Sequence, residues 1–214
     1  MLYRITVLRS LTALLCAFAL ILQPLTAFAE VSIQQGYFSY TTTDLMIDDP
    51  IYPIGVMRHY QSSRNDGSAP VDGPFGKGTH LGIYNLQAEI TSSNKVRLYM
   101  PTGEQTLFIA SGANRWVNEN NKDKLRGEIT LHSDGSSLIL KVQNGSRYWF
   151  QHTNSDGVRR LTKIQVRNHP NVTVQITYNS NGTHQYIQLG RFNGYRHIGF
   201  SYNDSRFPKH ITAA

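Results

Sequence analysis

The chain has 214 residues, with 21 lysines and arginines against 14 aspartates and glutamates, and a single cysteine. One cysteine excludes an internal disulfide framework and a Cys-built zinc site. The formal net charge of +7 is thinly spread, with Arg159-Arg160 and Lys163 the nearest thing to a cluster, so the sequence lacks the concentrated basic face of a nucleic-acid binder.

The first segment carries the three parts of a secretory signal. Arg4 and Arg9 make a positive start, residues 11–22 are apolar, and Ala27-Phe28-Ala29 is a small-x-small cleavage site before Glu30. The apolar run is shorter than the roughly 20 residues of a spanning helix and is closed by Gln23 and Pro24. Leu15 before Cys16 does not fit a lipoprotein site. The reading predicts a signal peptide over 1–29, export by the general secretory pathway, and a periplasmic, cell-surface or extracellular protein. Removing 29 residues from 214 leaves 185, without a thiol and with a net charge of about +5.

Beyond Glu30 the chain is rich in Tyr, Thr, Val, Ile and Asn, in short apolar alternations broken by Gly, Asn, Asp or Pro, which predicts many short antiparallel strands. Residues 96–100 alternate, 101–104 turn, and 105–109 return as the partner strand. Two further hairpins are predicted, 129–131 against 137–142 around Asp134-Gly135, and Val142 against 148–151 around Asn144-Gly145. Residues 112–124, with four asparagines, read as a polar loop. No window of eleven or more residues has helical apolar spacing.

In the C-terminal third, Ile176-Thr177-Tyr178-Asn179 recurs 24 residues later as Phe200-Ser201-Tyr202-Asn203. Lys163-Ile164 has counterparts near 185–187 and at His210-Ile211. One hairpin per unit, stacked on its neighbour, explains the period; periodicity alone leaves a plain β-sandwich as the alternative. The last strand is placed near 200–202 with no cap after it, which predicts marginal stability or self-association.

Residues 36–44 (GYFSYTTTD), Arg58-His59-Tyr60-Gln61-Ser62, and Asp72-Gly73-Pro74-Phe75-Gly76-Lys77-Gly78 resemble, in order and spacing, the domain of unknown function that precedes RHS/YD repeats. Pro101-Thr102-Gly103, Tyr148-Trp149-Phe150, Leu161-Thr162-Lys163-Ile164, Gly190-Arg191 and Phe200-Ser201-Tyr202 resemble later strands and repeat units. The resemblance implies an N-terminal β domain over 30–155, incomplete RHS/YD-like hairpin repeats over 156–214, and an all-β spiral of antiparallel hairpins stacked in sequence order after the signal helix. It further implies a bacterial, non-enzymatic shell segment of a polymorphic toxin-type protein, whose partners are further β-hairpin repeats or a second copy. Such shells run to many hundreds of residues, so an orphan, split or truncated piece is expected. Physically, Asp72-Gly73-Pro74 sets a turn, Phe75 is expected in the core, and Gly76 and Gly78 admit backbone that a side chain would block. Arg58 and Tyr60 complete this structural motif.

A search for chemistry returns little. No two of the eight histidines have the i, i+4 spacing of a helical metal site. There is no Gly-x-Ser-x-Gly elbow. Asp48 and Asp49 are adjacent, so on a strand they face opposite ways and cannot flank one glycosidic bond. The Asn-x-Ser/Thr triplets at Asn144, Asn171, Asn181 and Asn203 follow from composition. No catalytic residue, metal or cofactor is expected. The alternative function is a secreted or cell-surface carbohydrate-binding module, with Tyr148, Trp149 and Tyr195 stacking on sugar rings of cell-surface glycans.

Overall fold

The computed structural model describes residues 28–32, 37–62, 72–73, 76–101, 104–118, 127–152, 158–191, 194–202 and 208–213. Residues 1–27 of the expected signal segment therefore lie outside the described residues, as do Pro74 and Phe75 of the glycine-rich element. Every strand pairing is antiparallel, and the helical content among the described residues is one turn of 3-10 helix, Gly82–Asn85. None of the described helical residues forms a helix long and apolar enough to cross a membrane.

The strands are β1 (Phe28–Ser32), β2 (Tyr37–Ile47), β3 (Ile54–Gln61), β4 (Asp72–Gly73), β5 (Gly76–Lys77), β6 (Thr79–His80), β7 (Gln87–Ser92), β8 (Lys95–Tyr99) and β9 (Gln105–Gly112). They continue with β10 (Arg115–Val117), β11 (Gly127–Leu131), β12 (Leu138–Val142), β13 (Arg147–His152), β14 (Arg159–Gln165), β15 (Thr173–Tyr178), β16 (His184–Arg191), β17 (Gly194–Tyr202) and β18 (Pro208–Ala213). A first sheet has the order β1-β2-β3-β6, β4 and β5 make a small ribbon, and the remaining twelve strands form one large sheet.

Successive strands of the large sheet pair in sequence order, as expected from the hairpin signals. The strand β14 adds a further pairing. It follows β13, but Arg159 and Arg160 also pair with Ala88 and Gln87 of β7. Strands β7 to β14 thus close into a hydrogen-bonded ring of eight, and closure removes the free edges of β7 and β13. Further along β14, residues 163–165 pair with β15, from which β16, β17 and β18 continue outward.

Alternation decides which side chains fill this ring. In β8 and β9, Val96 lies opposite Phe108 and Leu98 opposite Thr106, all four buried, whereas Lys95, Leu107 and Ile109 are exposed. Ile129, Leu138, Leu140, Phe150, Leu161 and Ile164 continue the buried set. The same cluster takes in Ile54 and Val56 of β3, Tyr84 and Leu86, and Ile176, Ile187, Ile198 and Phe200 from the outer hairpins. One core therefore joins both sheets, and side chains, not solvent, fill an eight-stranded ring of this kind.

The turns form as their sequences dictate. Asp134 Oδ1 accepts from the amides of Ser136 and Ser137, each at 2.8 Å, and Gly135 has φ 71°. Asn144 Oδ1 accepts from Ser146 N at 2.8 Å, with Gly145 at φ 89°. Positive φ at these positions is why glycine occupies them.

Three irregular strand pairs carry the 24-residue period. Lys163 pairs with Trp149 and Leu161 with Phe150, leaving Thr162 as an extra, bulged residue. Gln185 is the extra residue between β15 and β16, and Lys209 between β17 and β18. A bulge adds a residue without changing which face follows, so Leu161 and Ile164 are both buried, as are His184 and Ile187.

Two expectations are corrected. Residues 112–124 are not wholly a loop: β10 lies within them, with Trp116 buried and its indole N–H donating to Ser93 O at 3.2 Å. A lone tryptophan among asparagines gives no periodic signal, and the carbonyl its indole meets is 23 residues away in the chain. Tyr202 does not end the last strand pairing either, because β18 pairs along β17 from Tyr202 to Ile198. The strand begins at Pro208, a residue tolerated at strand starts and edges, and its polar Lys209, His210 and Thr212 hide the alternation.

Candidate functional site

The segments that carried the resemblance meet in space. His59 and Tyr60 of β3 pair with His80 and Thr79 of β6, and the Gly78 carbonyl accepts from Gln61 N at 2.9 Å. Gly78 is buried with φ 76°, so its predicted need for glycine is a backbone requirement. Asp72 pairs with Lys77 and Gly73 with Gly76 in the small ribbon. Arg58 holds Asp44, the bulged residue of β2, through two contacts, the Nη2 to Oδ1 one at 2.7 Å. The Tyr60 ring lies 5.3 Å from Tyr40 and 6.3 Å from Phe38. Asp49, one of the two acids weighed for glycosidase chemistry, instead caps a turn: its Oδ1 accepts from Ile51 N at 2.9 Å and Tyr52 N at 3.0 Å.

A cavity of about 830 Å³ lies beside this strand, between β3, the 3-10 turn, and the β12–β13 hairpin of the ring. Met57, Ile83, Leu86, Met100, Leu140 and Val142 supply apolar walls, while Thr41, His59, Gln143, Asn144 and Tyr148 supply the polar groups. His59 Nδ1 and the Thr41 hydroxyl are 2.9 Å apart. Burial lowers the His59 pKa from its ordinary value, and burial likewise raises that of the Tyr148 phenol, so both are neutral at pH 7. His80, next to His59, is lowered to about 4, by burial first and by the neighbouring His59 second.

A second constellation lies where the outer hairpins meet the 3-10 turn. The Tyr178 hydroxyl is 2.8 Å from the Leu161 carbonyl and 3.3 Å from that of Tyr84, and His184 Nε2 donates to Tyr84 O at 3.2 Å. One hairpin on, Tyr202 donates to His184 O at 2.8 Å. The His184 ring packs 4.8 Å from Tyr178 and 6.1 Å from Phe200. Burial lowers its pKa to about 4 against the opposing effect of the Tyr84 hydrogen bond, so it is a neutral structural group. Burial also pushes Tyr84 and Tyr202 up to about 12.

Of the three aromatics assigned to sugar stacking, Tyr148 and Trp149 lie in different surroundings. Tyr148 lines the cavity, whereas Trp149, the next residue on β13, packs under Lys163 at 4.9 Å from its ammonium. Tyr195 pairs through its backbone with Gly190; its side chain is outside the described residues. Among the described residues no three or more His, Cys, Asp or Glu side chains are grouped as a metal site would require. Sequence reasoning missed His59 and Met57 as cavity residues, since three distant segments build the walls and none carries a motif for it.

Fold and site together define an all-β antiparallel protein built on a closed ring with stacked hairpins. A family model described as a domain of unknown function (DUF6531) matches residues 29–108, from β1 into β9. No curated protein matches the chain.

Proposed function

We propose that this chain is a non-enzymatic wall segment of an exported, bacterial RHS/YD-repeat protein of the polymorphic toxin type, and that it works by docking onto further hairpins. The observation that carries the reading is a tie repeated across the open end of successive hairpins, Tyr178 of β15 to Leu161 O of β14 and Tyr202 of β17 to His184 O of β16. Both bonds fall at the bulges that recur with the sequence period, as a stacked-repeat wall requires. The domain match over residues 29–108 covers the part that resembles the segment preceding such repeats. Among the described residues no strand pairs with the outer edge of β18, which is where a following hairpin is expected to add.

Size-exclusion chromatography with light scattering tests the reading. Self-association that rises with concentration, and that a charge placed on β18 by Thr212→Lys suppresses, is the expected result. A chain that stays monomeric at every concentration and binds a glycan on an array would overturn it.

A further inference from the structure

We propose that the cavity between β3, the 3-10 turn and the β12–β13 hairpin is a binding site for a neutral, predominantly apolar small molecule bearing one or two hydroxyl or carbonyl oxygens. Its volume of about 830 Å³ falls in the range of small-molecule sites, and the mouth of a closed β-ring is a place where such sites recur. Met57 and Ile83 on its walls keep 42% and 37% of their surface exposed, apolar area that an occupant would remove from water.

Two polar groups in the walls set the chemistry. Thr41 engages Nδ1 of His59, which leaves Nε2 without a protein partner among the described residues. The Tyr148 hydroxyl, also in the lining, has no hydrogen-bond partner among the described residues either. A half-buried donor or acceptor in an apolar wall gains from a ligand oxygen that completes it. Among the described residues no Lys, Arg, Asp or Glu lines the cavity, so a charged ligand would lose its hydration with none of them to replace it. A free sugar carries more hydroxyls than these walls can satisfy. An acyl or aryl body with a hydroxyl or carbonyl fits both the walls and the two polar groups.

The test is fluorescence titration of the full chain with N-phenylnaphthylamine, a neutral apolar probe, followed by displacement with dodecanol, laurate or maltose. Saturable one-to-one binding is expected, displaced by dodecanol far better than by laurate and not by maltose. Met57→Arg and Ile83→Arg, both at partly exposed positions, should each weaken the probe at least about tenfold while a circular dichroism melt stays close to that of the parent. Leu107→Arg, an exposed apolar position on β9 outside the cavity, should leave binding unchanged. Tyr148→Phe should weaken dodecanol roughly five- to tenfold by removing one hydrogen bond. Absence of saturable binding, equal loss in Leu107→Arg, or displacement by maltose would overturn the proposal.

Discussion

Tyr202 donates its hydroxyl to the carbonyl oxygen of His184, 18 residues earlier, at 2.8 Å, and so ties β17 to the bulged start of β16. Tyr178 ties β15 to Leu161 of β14 in the same way, also at 2.8 Å. Replacing either tyrosine by phenylalanine keeps the ring and leaves a carbonyl short of a partner. We expect a loss of about 1–3 kcal/mol for Tyr178→Phe, whose hydroxyl also lies near Tyr84 O, and about 1 kcal/mol for Tyr202→Phe. Calorimetry should record a fall in Tm of roughly 2–4 °C per kcal/mol for a chain of this size. Unchanged melting in both variants would show that the bonds do not fasten the hairpins.

Acid should destabilise the protein through His184. Its folded pKa is lowered to about 4 from the ordinary 6.5 by burial, so the unfolded chain binds the proton first as pH falls. The stability due to the neutral, buried imidazole is complete above about 6.5 and is lost between there and about 4. The loss from this group is about 3 kcal/mol. His80, also lowered to about 4, adds in the same direction. Urea midpoints at pH 7 and pH 4 should therefore differ markedly in the parent and less in His184→Leu, since leucine already occupies the corresponding place at residue 161. An identical pH dependence in that variant would count against the assignment.

Glycines 127 and 112 should respond unequally to alanine. A Cβ at Gly127 would lie 2.6 Å from the Lys141 carbonyl, a backbone atom that cannot step aside without moving β12. At Gly112 nothing lies within 4 Å. Gly127→Ala is expected to cost about 1–3 kcal/mol and Gly112→Ala less than about 0.5 kcal/mol, read from chemical denaturation.

Arg58, part of the sequence motif, makes a partly exposed ion pair with Asp44. Arg58→Ala should cost under about 1 kcal/mol, and the double variant with Asp44→Ala should cost no more than the sum of the singles. A loss of several kcal/mol would mean that the pair fixes the β2 bulge.

Export should leave a chain that begins at Glu30. Cleavage there removes Phe28 and Ala29 from β1 and leaves Glu30, Val31 and Ser32 opposite Ser39, Phe38 and Tyr37. N-terminal sequencing of secreted material decides the point, and an intact Met1 on soluble material would refute it.

The sequence by itself determined the class of structure and the local hairpins. Alternation of side chains along residues 96–109, 129–142 and 148–151 specifies strands, and Asp134-Gly135 and Asn144-Gly145 specify their turns, because these signals act over a few bonds. The period that brings Tyr178 and Tyr202 into equivalent places was legible for the same reason. Only the tertiary structure decided that β14 returns to β7 and closes the ring, since that pairing joins Arg159 to Ala88 across more than seventy residues and is written in no local pattern. It also decided the cavity. Thr41, His59 and Tyr148 become neighbours of one void through the packing of β3 and the 3-10 turn against the β12–β13 hairpin. Long-range packing of this kind depends on the volumes and registers of all the strands at once, which is why Trp116, Met57 and Ile83 carried no functional signal until the chain was folded.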